Sequence, residues 1–586
     1  MPSWAPSIVI SLQELNALPA PQFVATLAGV FERSPWVAER VASARPFASV
    51  PQLHEAMCAA VGSASLDEQL ALIRAHPELA GRAAIRGELT PESTREQQGA
   101  GLAACSPQEF ARLQELNAAY SRKFGFPFVL AVKGHTRASV LEALQQRVGH
   151  GLEEERATAL REIGRIARFR LAELLADPLG VRIIAMAQHL ARFSEDSHGL
   201  SCTYLTPAHR ATAAEIRDFM LSAGLEVSID AVGNVIGRWS GAHDDGGTLV
   251  TGSHYDTVVN AGRFDGRLGI LLPIAVVADL RQAGVRLPFT LAIVAFAEEE
   301  GVRFKSTFLG SRALTGTFET AALDSADAGG TTLRQALEEA GHDPAAIPAA
   351  ALDPRTLCGF VEVHIEQGPV LLEAGAPVGV VTSIAGSVRG VITLVGVSGH
   401  AGTVPMGSRR DAAAAAAEIV LAVERRCSGM PGLVGTVGQL HVSGGAINVI
   451  PGHCQLSIDI RADLDEVRAA AFADVMAEVE RICAARRVSF QWQKVLETAS
   501  VPCSARLQRR WAESIRRAAG IAEPRYLPSG AGHDAMVMAG KTEMGMLFVR
   551  CGNGGISHHP AESLTAEDAD VAARVFADFL RSYPNT

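Results

Sequence analysis

The sequence has no CxxC pair, no basic tract and no apolar run of membrane-spanning length. Its nine cysteines include no CxxC pair, which argues against a disulfide framework and favours reduced thiols in a cytoplasmic protein. It has no basic tract and a formal net charge of -10, so nucleic acid and anionic membranes are not expected as partners. The longest apolar run, 269–278, is too short to span a bilayer, and the N-terminus has no signal-peptide pattern.

The first third of the chain has the pattern of helices. With 586 residues, the chain is too long for one hydrophobic core. Between residues 11 and 175, apolar side chains recur at three-to-four spacing, and Ser or Pro stands at most of the expected helix starts. FPFVLAVKG has the main strand character in this region. We predict an all-α domain over residues 1–176.

The rest of the chain alternates strand-like and helical segments. This alternation is typical of an α/β domain, which we predict over residues 177–386 and 498–586. Residues 387–497 interrupt it with a four-stranded β pattern and two helices, which indicates an inserted α+β unit. The expected fold is therefore multidomain: an all-α domain, then an α/β domain with an α+β insertion.

Ionisable side chains follow the apolar runs of the α/β region. TGSHYDTVVNAGRFDG carries His254 and Asp265 after one run, AEEEG follows a second, and VEVHIEQ carries His364 in a third. Open α/β sheets build their sites at such carboxyl ends of strands. Mixed imidazole and carboxylate ligands suit zinc or manganese. His254 alone would be a core or turn histidine, but the three matching contexts together predict a metal site.

The acids of these segments have different expected roles. Asp265 is the candidate to bridge two ions, because each carboxylate oxygen can bind one of them. Asp256 lies two residues from His254 on the same side of an extended chain, where it can orient the imidazole. Glu298, Glu299 and Glu300 repel one another unless a cation binds them. Their composition alone does not separate a ligand from a general base.

The C-terminal two thirds resemble the M20-type metallohydrolases, in the branch that cleaves N-carbamoyl groups. The pieces in family order include GSHYDTVVNAGRFDG, AEEEGVRF, GHAGTVPM, GAINVIPG, IDIRADLD, SGAGHDAM and GISHHPAE. The resemblance implies two divalent ions, Asp265 as their bridge and Glu299 as the general base. The implied metal ligands are His254, Asp265, Glu300, His364 and His558. The adjacent His559 is the competing residue in SHHP.

The same resemblance makes the inserted unit a lid and dimerisation domain. His400 would reach the partner's active site and polarise the carbonyl under attack. Asn448 and Arg461 would hold the substrate carboxylate, and Gln367 would contact the substrate. Without the resemblance, Arg461 would be an unremarkable surface arginine.

The helical third resembles OHCU decarboxylase, which converts 2-oxo-4-hydroxy-4-carboxy-5-ureidoimidazoline to (S)-allantoin. AHPELAGRA, LTPESTREQQGAGL and NAAYSRKFGFPFVLAVKG carry the likeness. It implies no metal or organic cofactor. The implied catalytic residue is His76, although in this segment alone it would be a helix-terminal histidine with a local partner. The implied substrate contacts are Ser93, Glu96, Gln97 and Arg170. Arg168 is the alternative to Arg170.

The two resemblances together predict a bifunctional enzyme that acts on small-molecule substrates and forms a homodimer. One domain makes allantoin, and the other hydrolyses allantoate after a separate allantoinase has opened the ring. The alternatives for the second activity are an N-carbamoyl-L-amino-acid hydrolase, a β-ureidopropionase or an M20 peptidase. For the first third, the alternative is a helical module that only tethers the hydrolase.

Overall fold

The computed structural model of the chain describes residues 10–47, 50–79, 90, 93, 107–132, 137–175, 178–243 and 247–583. Up to Leu175 the regular elements of these residues are helices. They are α1 (Leu12–Ala17), α2 (Ala20–Leu27), α3 (Trp36–Val41), α4 (Val50–Gly62), α5 (Leu66–Ala75), α6 (Pro107–Phe124), α7 (Arg137–Arg147) and α8 (Leu152–Leu174).

The starts of these helices follow from local chemistry. The Ser11 and Ser65 side chains accept hydrogen bonds from the backbone N–H groups of Glu14 and Glu68, and both sites form complete capping boxes. The helices share one core built around buried aromatic side chains such as Phe23. Residues 127–132, from the segment with predicted strand character, form no strand. The described helical region offers them no neighbouring strand to pair with.

Strands and helices alternate after Gly180. The strands are β1 (Glu226–Ile229), β2 (Val235–Trp239), β3 (Thr248–His254), β4 (Thr290–Phe296), β5 (Leu357–Ile365), β6 (Val378–Ile384), β7 (Gly386–Val395), β8 (Gly399–His400), β9 (Leu433–Thr436), β10 (Leu440–Ser443), β11 (Val449–Ile450), β12 (His453–Ala462), β13 (Ser489–Thr498), β14 (Val501–Pro502), β15 (Arg525–Ser529) and β16 (Met544–Val549). The helices are α9 (Leu179–Leu190), α10 (Pro207–Ser222), α11 (Leu268–Gln282), α12 (Leu309–Thr315), α13 (Leu333–Glu339), α14 (Val370–Glu373), α15 (Ala412–Cys427), α16 (Asp465–Arg486), α17 (Ala505–Ser514), α18 (Asp534–Met538) and α19 (Ala566–Ser582).

The larger sheet has nine strands in the order β1-β2-β4-β3-β5-β16-β6-β14, with β15 added beside β6. Its centre is parallel, because β3 pairs with β4 and β5, and β5 with β16, in parallel register. Neighbouring residues of β3 belong to different apolar clusters, Leu249 to one and Val250 to the other. Both faces are therefore covered, as expected for a parallel sheet.

A second sheet of five strands has the order β10-β12-β7-β13, with β9 also paired to β12. Helices α15 and α16 pack on one of its faces. The sequence predicted one strand over GTVGQLHVS, whereas the chain forms β9 and β10 along the same edge of β12. The break falls at Gln439, whose backbone N–H bonds the Ser457 hydroxyl at 3.0 Å instead of a backbone carbonyl.

The helical region packs against the α/β region through α4 and α8, which contact α9 and α10. Ion pairs cross this contact, with N···O distances of 3.1 Å between Arg165 and Asp218 and 3.0 Å between Arg168 and Glu215. No helix in the described part of the chain has both the length and the apolar character that a membrane span needs.

Candidate functional site

Three adjacent parallel strands end at one group of acids and imidazoles. His254 is the last residue of β3, Glu299 and Glu300 follow β4, and His364 lies near the end of β5. Because β3 pairs in parallel with both neighbours, these side chains meet at one edge of the sheet. The predicted convergence of the three segments is therefore present.

Asp265 lies at the centre of this group. Its Oδ1 is 3.2 Å from Nε2 of His364 and 3.6 Å from Nε2 of His254. Its Oδ2 is 3.0 Å from Nε2 of His558, and that nitrogen is 3.4 Å from Oε1 of Glu300. The two carboxylate oxygens thus face different imidazoles, which is the arrangement a bridging carboxylate requires.

The ligand atoms form overlapping sets. Each set has its candidate atoms within 4.8 Å of one another. The sets are His254, Asp265 and His364; Asp265, Glu300 and His558; and His254, Glu299 and Glu300. Apart from the more exposed His558, these residues are largely or fully buried.

The charges and donor atoms of the group fit a bound cation. Burial raises the pKa of Glu299, and it raises the pKa of Glu300 to about 7. Burial opposes ionisation of Asp265 too, but hydrogen bonds with its three histidines hold its pKa well below the ordinary value. Buried carboxylates facing imidazoles are stabilised by a bound divalent ion. The oxygen and nitrogen donors fit zinc or manganese.

Asp256 sits behind this group rather than in it. Its Oδ1 is 3.4 Å from Nδ1 of His254, on the side of the ring away from Asp265. The same carboxylate accepts the backbone N–H groups of Glu299 at 3.1 Å and Glu300 at 3.2 Å. The same ring nitrogen is 3.1 Å from the backbone carbonyl of Asp256, so this one residue orients the imidazole and, through its buried carboxylate, holds the turn that carries two acids.

The two histidines of SHHP point in different directions. His558 faces Asp265, from a backbone with φ of 53°, while Nδ1 of the exposed His559 accepts the backbone N–H of Ala561 at 3.1 Å. The loop is held by Ser557, whose hydroxyl is 3.2 Å from Asp265 and 2.9 Å from Glu562. His558 is thus the histidine that reaches the group.

Gln367 lies against the group as well. Its side-chain nitrogen donates to Oδ2 of Asp265 at 2.9 Å, from a residue with φ of 58°. Its side-chain oxygen is buried and has no hydrogen-bond partner in the described part of the chain. That oxygen is available to a donor on a bound molecule.

Two further buried side chains extend the group, and sequence reasoning missed both. Glu362, His364 and His533 form another set of nearby ligand atoms, and the rings of His364 and His533 are 4.5 Å apart. Glu362 accepts the hydroxyl of Ser253 at 2.6 Å. Signals existed for both: Glu362 is two residues from His364 on the same strand, and His533 lies in the SGAGHDAM segment.

The remaining predicted residues lie on or beside a separate two-stranded sheet of β8 and β11, and on β12 of the five-stranded sheet. His400 in β8 pairs with Val449 in β11, and the Asn448 carbonyl accepts the backbone N–H of Ala401 at 2.9 Å. Both His400 and Asn448 are exposed. Nη1 of Arg461 donates to the Gly530 carbonyl at 2.6 Å, in the loop before His533. Within the described residues, no hydrogen bond or ion pair joins His400 or Arg461 to the Asp265 group.

The helical region has its own polar cluster. His76 and Ser93 line a cavity of about 20 Å³ whose other walls are apolar. Arg170 is 3.0 Å from the carboxylate of the buried Glu32, and its Nη2 donates to the Ser93 hydroxyl at 3.3 Å. Arg168 instead pairs with Glu215 in the α/β region. The arrangement thus joins Arg170 to Ser93.

His76 is a neutral imidazole in this environment. Burial lowers its pKa to about 4, although the Leu72 carbonyl and Glu32 oppose the shift. Its Nδ1 is 3.1 Å from the Leu72 carbonyl, and its buried Nε2 has no hydrogen-bond partner among the described residues. Glu96 and Gln97 lie outside the described residues. Sequence reasoning missed Glu32, which has no local signal because it is distant from Ser93 along the chain.

Comparisons with known proteins match the helical region and the α/β region to two different families. Residues 16–172 match the family model of OHCU decarboxylase, and residues 250–582 match that of peptidase family M20/M25/M40. The chain is 42% identical to an N-carbamoyl-L-amino acid amidohydrolase of Geobacillus stearothermophilus over 65% of its own length and 92% of the relative. It is 38% identical to a probable allantoate deiminase of Oryza sativa subsp. japonica, over 70% of this chain and 88% of that protein.

A solved structure agrees with these relatives. A hydantoinase/carbamoylase-family amidase from Burkholderia multivorans superposes with a TM-score of 0.65 and 31% identity. The match covers 68% of this chain and 97% of the amidase. The helical region accounts for most of what lies outside the match with these relatives.

Proposed function

The chain belongs to peptidase family M20/M25/M40 and carries an OHCU decarboxylase domain. We therefore propose that it is a bifunctional enzyme of urate degradation. The helical domain decarboxylates 2-oxo-4-hydroxy-4-carboxy-5-ureidoimidazoline to (S)-allantoin. The metallohydrolase hydrolyses allantoate to ureidoglycine, ammonia and carbon dioxide. The observation that carries the choice of allantoate is the fusion itself, because allantoin becomes allantoate by one ring-opening step.

The proposal divides the chain at three places. The decarboxylase domain takes residues 1–176, and the catalytic α/β domain takes residues 177–386 and 498–586. Residues 387–497 form a lid that also joins two copies of the chain. The fully exposed Ile447 beside Asn448 and the exposed apolar residues of β10 support a surface that a second copy covers.

Two divalent ions belong to the Asp265 group in this proposal. Asp265 would hold both ions, and His254, Glu300, His364 and His558 would complete their ligands. When bound, the ions supply Lewis-acid polarisation of the carbonyl and a lower pKa for water. Asp256 keeps the far ring nitrogen of His254 occupied, which orients the ring and fixes its tautomer.

Glu299 is the proposed general base. Its carboxylate takes a proton from the attacking water and returns it to the leaving nitrogen. Burial favours the protonated form of Glu299 that the second of these steps requires. The backbone of Glu299 is held by Asp256, so the carboxylate works from a fixed turn.

The lid residues bind and polarise the substrate. Asn448 and the two-pronged guanidinium of Arg461 hold its carboxylate, and His400 of one copy reaches the site of the second copy to polarise the carbonyl. The exposure of His400 within its own copy supports a role that is completed by a partner. The Gln367 amide holds a further substrate group beside Asp265.

The decarboxylase uses no cofactor in this proposal. The substrate's own carbonyl and imine accept the electron pair that carbon dioxide leaves behind, and His76 provides acid/base chemistry from Nε2. Ser93, Glu96, Gln97 and Arg170 bind the substrate. The neutral, unpartnered Nε2 of His76 at the small cavity supports this assignment.

The substrate test compares allantoate with N-carbamoyl-L-amino acids and N-carbamoyl-β-alanine. The second candidate is an N-carbamoyl-L-amino-acid hydrolase, favoured by the 42% identity to the Geobacillus stearothermophilus relative. We expect the highest kcat/KM for allantoate. Faster cleavage of an N-carbamoyl amino acid would replace our assignment with this candidate. The decarboxylase assay is run beside it, since an inactive helical domain would support the tether alternative.

A further inference from the structure

A cavity of about 370 Å³ lies between the helical domain and the metallohydrolase domain. Its walls on one side come from α4 and α8, and on the other from α9, α10 and α11. The volume lies within the range of about 300–1,000 Å³ that small-molecule sites occupy, and domain interfaces are a frequent position for them. The cavity is separate from both proposed active sites, since none of their residues lines it.

The lining combines apolar side chains with positive charge. Leu171 of α8 faces Met186, Phe219 and Ile274 from the other domain across an apolar interior. Among the described residues, the remaining walls include guanidinium groups from both domains but no carboxylate. Such a site favours a molecule with an apolar body and an anionic group.

Of the three arginines that line the cavity, Arg281 is the one that can bind an anion. Arg168 is paired with Glu215 at 3.0 Å, and Arg182 with Asp279 at 2.8 Å. Arg281 of α11 forms no ion pair within the described chain and lies 5.7 Å from the centre of the Trp239 ring. Burial lowers the pKa of Arg281, and the charge of the Glu226 carboxylate opposes that shift.

Backbone geometry keeps this group near the cavity. A Cβ added at Gly224, where φ is +80°, would lie 2.8 Å from Nε of Arg281. The absence of a side chain at Gly224 therefore lets the guanidinium pack directly on the backbone. Gly224 and Arg281 both belong to the lining, so the cationic group stands at the cavity.

We propose that this interdomain cavity binds a small organic anion, with its apolar body between α8 and α11 and its carboxylate or sulfonate on Arg281. The bound anion contacts both domains, and neither proposed reaction uses this site. It is independent of the proposed function, because a failure to bind anions here leaves both reactions as they stand.

The first test uses 1-anilinonaphthalene-8-sulfonate, a fluorescent aromatic sulfonate, on the full-length chain. We expect saturable binding with one equivalent per chain. Ala278→Trp fills the cavity and should weaken binding by about tenfold or more, equivalent to about 1.4 kcal/mol. Ala283→Trp places the same side chain at an exposed position outside the lining and should leave binding unchanged. Equal affinity in both variants, or no saturable binding, would overturn the proposal.

The second test separates the anion from the apolar body. Arg281→Gln should weaken the sulfonate by about tenfold, the size of a lost charge-assisted hydrogen bond. It should leave the uncharged N-phenyl-1-naphthylamine unaffected. Arg286→Gln, an exposed arginine outside the lining, is the matched control. If Arg281→Gln weakened the binding of both dyes equally, the proposal that Arg281 binds an anionic group would be wrong. If Ala278→Trp does not fold by circular dichroism, Ser222→Trp fills the cavity from α10 instead.

Discussion

Asp256 lies behind the Asp265 group but contacts three of its residues, His254, Glu299 and Glu300. We predict that Asp256→Asn lowers metal affinity or kcat for allantoate by about 10- to 100-fold, the usual cost of losing a partner of a metal-binding histidine. The amide keeps one acceptor but loses the charge that faces His254. Metal content per chain and allantoate kinetics measure the effect. Unchanged values for both would contradict the orienting role, and decarboxylation by the same protein is the internal control.

Two arginines of α8 give a matched pair for the decarboxylase. Arg170 contacts Ser93 and Glu32, whereas Arg168 pairs with Glu215 of the other domain. We predict that Arg170→Lys raises the decarboxylase KM by about tenfold or more, because lysine keeps the charge but loses the planar fork. Arg168→Lys should leave the KM unchanged. The reverse result would return the substrate contact to Arg168.

His54 makes the helical domain sensitive to acid. Burial, followed by the charge of Arg168, lowers its pKa from 6.5 to about 4, so the folded state keeps it neutral. Between these two pH values the unfolded chain binds more protons, and the stabilisation present above pH 6.5 is lost as the pH falls. Between pH 7 and pH 5 this costs about 2 kcal/mol.

His54→Gln should reduce this pH dependence, because glutamine does not titrate and can still bond the Gly164 carbonyl that His54 contacts at 2.8 Å. Hydrogen-exchange protection of α4 and α8 at the two pH values, corrected for intrinsic rates, measures the change. An unaltered loss of protection at pH 5 in His54→Gln would assign the acid sensitivity to other groups.

Residues beside strand ends carry a signal in the sequence, whereas contacts made only by packing between distant segments do not. His254 and Asp265 sit in a glycine-rich segment after an apolar run, a pattern visible in sequence. Glu32, in the turn between α2 and α3, meets Arg170 of α8 only through packing between distant segments of the chain. His558 was separable from His559 only by backbone direction, which spacing does not encode.

Among the secondary-structure elements, α11 starts where the helix packs tightly on the sheet and close in sequence to the Asp265 group. A Cβ at Gly269 would lie 2.4 Å from the Val363 carbonyl and 2.7 Å from Cβ of Ser253, so the helix could not keep its place on the sheet. We predict that Gly269→Ala destabilises the chain by about 1–3 kcal/mol and lowers allantoate turnover, because α11 begins three residues after Asp265. Thermal unfolding and hydrolase kinetics measure both effects. Gly407→Ala, made where a Cβ meets open space, is the control and should change neither.

The alternation of strands and helices was predictable because periodicity and caps are local. Ser11 and Ser65 open helices in the sequence and in the structure. The break between β9 and β10 was not predictable, since it depends on the Ser457 hydroxyl across the sheet. The lid role of residues 387–497 stays a prediction, because it depends on a second copy of the chain.

At the scale of the whole molecule, the comparisons confirm both family resemblances. The helical domain and the α/β domain have separate apolar cores. Between them lie ion pairs such as Arg165 with Asp218, and the interdomain cavity. Neither proposed active site draws a residue from the other domain. The two reactions also do not share a compound, because a ring-opening enzyme must act between them.

This separation leads to a mixing prediction. His76→Ala should remove decarboxylation and keep allantoate hydrolysis, and Glu299→Gln should do the reverse. With a separate allantoinase added, a mixture of the two variants should give the same overall flux as the unaltered chain at equal numbers of each active site. The intermediates pass through solution in both cases, so joining the domains brings no kinetic advantage. A clearly lower flux from the mixture, measured as ammonia release from the decarboxylase substrate, would mean that the fused chain transfers its intermediates directly.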